Sequence, residues 1–398
     1  MNDKTLLTRL VHSGRHSPVE GGIPVNPPVV RMSTVLFDSV AHMQDIRARR
    51  GSERLLSYGA RGNVTGFALE DLITELEGGY RTRLFPTGLA AIAQMFIALL
   101  EPGDHLLIGD SVYDPVRNFA RHFFDRFGIR YDYFAADGHD LEEKILPSTR
   151  MIYLECPGSV VYELCDLPKI AAIARPRGIL VAADNSWGAG VLYRPLALGA
   201  DISVSAATKY LGGHADVMMG AATCTEALWP RLGACCDAMG VAVSPDDSWL
   251  VLRGARSLAA RLQMHQEHAL QVAKWLQNHE AVEAVFCPAL PEHPGHALWR
   301  RDFSGTNGLI SVSLKDRSRQ TAADVIDRLE LFGIGASWGG FESLATLSEM
   351  TAIRSVTDWR ECPAVIRLHI GLEDPSALIA DLARTLALVP RRAKAEAL

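Results

Sequence analysis

The segment Ile179-Leu180-Val181-Ala182-Ala183-Asp184 is a run of apolar residues closed by a carboxylate. A second segment, Ile202-Ser203-Val204-Ser205-Ala206-Ala207-Thr208-Lys209, has the same design, with an amine four residues beyond its predicted strand. A run as apolar as 179–183 has no wet face and reads as a central strand of a parallel sheet, covered on both sides. The carboxyl ends of such strands open into the crevice where open α/β sheets bind ligands. Asp184 and Lys209 are therefore expected to face one site.

The pattern extends outward in both directions. Strands at 106–108 and 151–154 alternate with helices at 115–126 and 167–174, as in right-handed βαβ units. Upstream, Phe67, Leu69, Leu72, Ile73 and Leu76 recur at helical spacing and stop at Gly78-Gly79; a second helical run covers 88–100. Residues 13–65 are rich in Gly, Pro and Ser without a sustained period, and read as an arm that lies over another surface. Downstream, the rhythm breaks at Ser244-Pro245-Asp246-Asp247, and an amphipathic stretch at 249–276 follows. Beyond it are a strand at 309–314, a helix at 321–332, strands at 334–337 and 365–370, and a helix from Pro375. The expected division is an arm (1–65), a large α/β domain with a mostly parallel sheet (66–248) and a smaller C-terminal α+β domain (249–398). Arg391, Arg392 and Lys394 read as a frayed terminus.

Composition narrows the function classes. Of 398 residues, 48% are hydrophobic and 22% charged, an ordinary globular balance. Lys plus Arg number 40 against 46 Asp plus Glu, which argues against a nucleic-acid partner. The seven cysteines show no C-x-x-C pair and fit a reducing cytoplasm. Charges interrupt the N-terminal apolar stretch, and no segment offers about 18 uninterrupted apolar residues, so neither export nor a membrane is expected.

A carboxylate and an amine converging on one crevice suit a pyridoxal phosphate site. The lysine forms the Schiff base, and the aspartate keeps the pyridine nitrogen protonated so that the ring accepts electrons. Taken singly, Asp184 also reads as a cap and Lys209 as a surface lysine. Pro86-Thr87-Gly88-Leu89-Ala90-Ala91 opens directly into an apolar helix, whose free N–H groups and dipole favour a phosphate; it also reads as a simple Thr cap. Thr208 could add a hydroxyl. Tyr113, just past the strand at 106–108, could stack on a cofactor or be an amphipathic surface residue. Arg367, within the apolar strand 365–370, calls for an anion that fits its planar fork, such as an amino-acid carboxylate.

Together these residues resemble the cysteine and methionine metabolism family of pyridoxal phosphate enzymes. The resemblance runs over 58–374 and rests on ordered motifs. They are Tyr58-Gly59-Ala60-Arg61-Gly62-Asn63, Leu76-Glu77-Gly78-Gly79, Leu154-Glu155-Cys156-Pro157-Gly158-Ser159, Asp184-Asn185-Ser186-Trp187, Ala207-Thr208-Lys209-Tyr210-Leu211-Gly212-Gly213-His214, Ser337-Trp338-Gly339-Gly340-Phe341-Glu342-Ser343-Leu344 and Arg367-Leu368-His369-Ile370-Gly371-Leu372-Glu373-Asp374. The resemblance implies fold-type I: an N-terminal arm, a cofactor domain with a seven-stranded sheet, a smaller C-terminal domain, and a homotetramer of two active dimers. It assigns Lys209 to the Schiff base and proton transfer, Asp184 to the pyridinium nitrogen, Tyr113 to ring stacking, and Gly88, Leu89 and Thr208 to the phosphate. Arg367, Ser337, Trp338 and Ser159 would line the substrate site, and Tyr58 would reach the neighbouring subunit's site.

The implied reaction is α,β-elimination on a sulfur-linked amino acid, L-cystathionine giving homocysteine, pyruvate and ammonia in methionine biosynthesis. The family's usual Tyr-x-Arg has Ala60 at the arginine position here, leaving Arg61 as the candidate phosphate ligand. Ser159 replaces the family's common Asn. Trp338 separates this pattern from γ-acting relatives, which usually have leucine there. Lyases acting on other cysteine conjugates, a cysteine desulfhydrase, γ-acting enzymes and an inactive binding protein stay open as alternatives. His293 and His296 read as a Pro-rich loop with no metal role. Cys235-Cys236 reads as a helix surface.

Overall fold

The computed structural model describes residues 5–13 and 24–389, so Arg391, Arg392 and Lys394 lie outside the described residues. The larger sheet contains β1 (Arg81–Phe85), β2 (His105–Gly109), β3 (Arg130–Phe134), β4 (Thr149–Glu155), β5 (Leu180–Asp184), β6 (Ile202–Ser205) and β7 (Gly220–Cys224). Their order is β1-β7-β6-β5-β4-β2-β3. Strands β2 to β6 are mutually parallel, and β7 runs antiparallel to both β6 and β1. The expected α/β architecture with a mostly parallel seven-stranded sheet is present.

Alternation along each strand divides the core into two layers. Leu106, Ile108 and Tyr153 pack with Met95 and Phe96 of helix Gly88–Leu99, Val116 of helix Asp114–Phe119 and Leu232 of helix Trp229–Ala238. The intervening residues Leu107, Ile152 and Leu154 face the other way, onto Ile170 and Ala174 of helix Leu167–Ala174. Helix Val64–Glu77 starts where the Asn63 side chain accepts the Gly66 N–H at 2.8 Å. It ends as expected at Gly78, whose φ of 74° is left-handed.

A second sheet, in the order β10-β11-β12-β9-β8, contains β8 (Val282–Phe286), β9 (Leu309–Leu314), β10 (Gly333–Ile334), β11 (Leu344–Glu349) and β12 (Ala364–His369). Its core takes in Val272 of helix Leu258–Gln277, Val325 of helix Arg319–Asp327 and Leu378 and Leu382 of helix Pro375–Leu386. The helix expected at 321–332 stops at Asp327. After it, the buried Asp381 carboxylate accepts the N–H groups of Glu330 and Leu331 at 2.9 and 2.8 Å and turns the chain. The strand expected at 334–337 is consequently only Gly333–Ile334.

Helix Pro245–Ala255 spans the expected boundary at 248/249 and packs on helix Val64–Glu77, whereas helix Leu258–Gln277 packs on β8 and β9. The two sheets are clasped beside the strand ends. Asp110, fully buried, accepts the N–H groups of Ser355, Val356 and Thr357 at 2.8, 3.1 and 3.2 Å and pairs with Arg117. Arg354 donates to both Glu163 oxygens and, at 2.6 Å, to the Ser159 carbonyl. This clasp seats the segment leading into β12, the strand of Arg367, against the crevice at the ends of β2 and β4.

Candidate active site

Asp184 ends β5 in register with Glu155 of β4 and Val204 of β6. Its Oδ1 accepts the Ser186 N–H at 2.9 Å, and the Tyr153 hydroxyl lies 3.4 Å from Oδ2. Burial pushes its pKa up, against these hydrogen bonds and the nearby Lys209 ammonium. The strand end is braced from behind. Asn185 donates to both Glu77 oxygens at 3.0 and 2.9 Å and to the Tyr193 carbonyl at 2.9 Å, while Ser203 donates to Glu77 at 2.8 Å. Burial raises Glu77 to about 7.

Lys209 follows β6 and extends its Nζ to Ser337 Oγ at 2.8 Å, 5.1 Å from the centre of the Trp338 ring. Burial and the Arg367 guanidinium lower its pKa to about 8, against the pull of Asp184. Arg367 of β12 donates through Nη2 to the Ala336 and Ser337 carbonyls and to Thr346 Oγ1, at 3.0, 3.3 and 3.2 Å. It makes no ion pair with any described residue. A desolvated guanidinium anchored on one side in this way presents its remaining donors to an incoming anion.

The turn carrying Ser337 and Trp338 depends on Gly339, whose φ is 85° and whose Cβ, if present, would lie 2.8 Å from the Tyr210 nitrogen. The Gly339 N–H donates to His369 Nε2 at 3.0 Å, and burial lowers His369 to about 3, keeping that nitrogen free to accept. In the loop at 86–88, Thr87 caps helix Gly88–Leu99 by accepting the Ala90 N–H at 3.0 Å, and the N–H groups of Gly88 and Leu89 carry no hydrogen bond to a described residue. A Cβ on Gly88 would lie 2.8 Å from Ala206 Cβ, so only glycine lets this loop close onto the exit of β6.

Buried carboxylate, lysine amine, free helix N-terminus and unpaired arginine thus fit pyridoxal phosphate. Asp184 would face the pyridine nitrogen, Lys209 the aldehyde carbon, and Gly88 and Leu89 the phosphate. A cavity of about 410 Å³, lined by Thr208, Asp216, Met218, Ser337, Trp338 and Phe341, continues outward beside Lys209.

The remaining expected residues are placed as follows. Tyr113 lies past β2 and is 46% exposed, and its backbone N–H donates to Glu155 Oε2 at 2.6 Å. The Thr208 hydroxyl is already engaged, donating to the Met219 carbonyl and accepting the Met219 N–H at 2.9 Å, so it braces the loop before β7. Ser159 is held through its backbone, its N–H donating to the Ser111 carbonyl at 2.7 Å. Tyr58 and Arg61 make no hydrogen bond, ion pair or ring contact with Lys209, Asp184, Tyr113 or Arg367 of the same chain. Arg61 instead pairs with Asp237, which also takes Arg83 at 2.9 Å, so its guanidinium is already committed. Glu155, Tyr153 and His369 went unassigned from the sequence; Glu155 and His369 stood inside quoted motifs, but only strand register discloses their partners. His293 Nδ1 accepts the Gly295 N–H and His296 Nδ1 bonds the Pro288 carbonyl. Cys236 is buried in helix Trp229–Ala238, and the Gln94 amide lies 3.0 Å from Cys235 Sγ.

Such a site, on this fold, defines an enzyme that works on amino acids through pyridoxal phosphate. The family model described as Cys/Met metabolism PLP-dependent enzyme matches residues 7–387, and the chain belongs to that family. A protein named cystathionine beta-lyase from Bordetella avium is 45% identical over 388 residues, 96% of this chain and 98% of that one. An L-alanine/L-glutamate racemase from Wolbachia pipientis wMel is 35% identical over 376 residues, 92% of this chain and 93% of that one. The crystal structure of metB from Corynebacterium glutamicum superposes with a TM-score of 0.88 at 27% identity, covering 97% of this chain and 98% of that one.

In the cofactor-free protein, acylation of Lys209 should follow an ionisation with a midpoint of about 8 instead of the ordinary 10.5. Arg367→Ala removes a cation and should raise that midpoint; Asp184→Asn removes an anion and should lower it. Mass spectrometry of the Lys209 peptide across a pH series reads both, and a wild-type midpoint near 10.5 contradicts the account.

Proposed function

We propose that this chain is a cystathionine β-lyase, which cleaves L-cystathionine by α,β-elimination to homocysteine, pyruvate and ammonia. The observation that carries this reading is the cluster at Lys209: its amine at Ser337, the Trp338 indole 5.1 Å away, and the unpaired Arg367 guanidinium close enough to lower its pKa. Arg367 binds the substrate carboxylate and Ser337 flanks it, which brings Cα to Lys209. With a pKa of about 8, Lys209 is part amine near neutrality and can take the Cα proton. Bound pyridoxal phosphate supplies the electron sink, and Asp184 keeps its nitrogen protonated. Lys209 then returns the proton to the homocysteine thiolate as it leaves Cβ. The indole of Trp338 closes the space beyond Cα and favours scission there over scission at Cγ. The released enamine hydrolyses to pyruvate and ammonia.

We also infer a homo-oligomer, a tetramer of two active dimers, working in the cytoplasm. In support, the arm exposes apolar side chains, with Leu36 91%, Val40 67% and Tyr58 53% exposed, and helix Val40–Arg49 buries none of its residues in its own chain. All seven cysteines are free, and among the described residues no helix is long and apolar enough to cross a membrane.

Incubation with L-cystathionine should release pyruvate and homocysteine. Release of 2-oxobutyrate and cysteine identifies a γ-acting enzyme, and racemisation of alanine without a keto acid identifies a racemase; either overturns the proposal. A shared site makes a second prediction. Lys209→Ala and Tyr58→Ala chains, each inactive, should on joint refolding regain up to about a quarter of wild-type activity, because half of random dimers are mixed and each has one intact site. No recovery contradicts the shared site.

A further inference from the structure

Glu155 is an acidic residue beside Asp184 that the reaction above leaves without a role. It ends β4 beside Asp184 of β5, their Cα atoms in register in adjacent parallel strands, so a buried and a half-buried carboxyl group leave neighbouring strand ends into one crevice. Like charges so placed cannot both ionise cheaply, and the group with fewer stabilising partners keeps the proton. Asp184 has the Ser186 N–H, the Tyr153 hydroxyl and the Lys209 ammonium. Glu155 has one donor, the backbone N–H of Tyr113 at 2.6 Å. The other ionisable groups around it are Arg354, which favours its anion but is itself bound to Glu163, and Glu163, Tyr113, Tyr153 and Tyr162. Burial, reinforced by Asp184, pushes Glu155 well above the usual carboxyl range.

We propose that Glu155 is a positioning residue: a protonated carboxyl group that anchors the Tyr113 backbone, and with it the ring over the cofactor, while leaving Asp184 the only anion at that end of the site. A carboxyl group keeps an accepting carbonyl oxygen when protonated, so the Tyr113 N–H can be held without ionisation of Glu155. Tyr113 begins helix Asp114–Phe119 with no side-chain cap, and the Glu155 contact is the only hydrogen bond described for its N–H. Without it, the partly exposed Tyr113 loses its tie to the end of β4.

The inference rests on the reading of the site as a pyridoxal phosphate site. Its test compares three variants as holoenzymes, by steady-state kinetics and by a pH titration of the cofactor's visible absorbance and circular dichroism. Glu155→Gln keeps a neutral acceptor at the same reach, and should hold kcat within about threefold and leave the spectral titration in place. Glu155→Ala and Glu155→Asp lose or retract the acceptor, and should lower kcat about 5- to 100-fold and weaken the circular dichroism of the bound cofactor. If Glu155→Gln is as impaired as Glu155→Asp, or its titration shifts, the carboxylate charge is needed and the proposal falls. It also falls if Glu155→Asp behaves as wild type. The Gln and Asp variants decide the matter even if Glu155→Ala does not fold. Failure of the underlying cofactor reading is separate: the wild-type protein would then show no visible band.

Discussion

Asp184 holds a carboxylate at the end of a central strand, out of reach of bulk water, and a charge there is stable only where its surroundings replace the lost hydration. Much of the crevice is organised around that requirement. The Ser186 N–H and the Tyr153 hydroxyl face the carboxylate, Lys209 supplies a cation, and the Glu77, Asn185 and Ser203 network fixes the next residue along. The same burial that raises Asp184 lowers Lys209, so one low-polarity environment shifts both the carboxyl group and the amine. Both effects are strongest with solvent excluded, which is why the pair sits where two sheets meet.

The second sheet completes the site. Arg367 comes from β12 and Ser337 and Trp338 from the turn ahead of β11, yet all must meet Lys209 from the first sheet. Asp110 and Arg354 hold this relation at the rim, and the Gly339 N–H donating to His369 fixes the turn on its own sheet. The guanidinium of Arg367 therefore belongs to one sheet and the Asp184–Lys209 pair to the other, and the registration of the two sheets sets how Arg367 and Lys209 face each other.

The parts of the fold legible in the sequence are those where local pattern and burial agree. The runs 179–184 and 202–205 are apolar because both faces are covered, and β5 and β6 occur there. Strand β7 is not legible: Gly220-Ala221-Ala222-Thr223-Cys224 is wholly buried, but it opens on Gly220, where the Thr87 carbonyl leaves no room for a side chain, and its small residues carry no strand pattern. Strand β1 was hidden by Arg81, Thr82 and Arg83; Thr82 is buried against Thr223 and Arg83 against Asp237, partners more than 140 residues away. The site divides in the same way. Lys209, Asp184 and Arg367 are conspicuous as polar groups in or just beyond apolar strands. Glu155 matters only through its register with Asp184 and its contact with Tyr113, and the pairing of Arg61 with Asp237 spans 176 residues. Long-range partners of this kind leave no periodic trace.

The central claim is that Asp184 serves as an anion that keeps a proton on the cofactor's ring nitrogen. Nitrogen NMR on holoenzyme reconstituted with pyridoxal phosphate labelled with ¹⁵N in the ring tests it directly. The account predicts a protonated ring nitrogen in the wild-type enzyme near neutral pH and an unprotonated one in Asp184→Ala. A wild-type enzyme whose ring nitrogen is unprotonated, or an Asp184→Ala variant in which it stays protonated, would contradict the account.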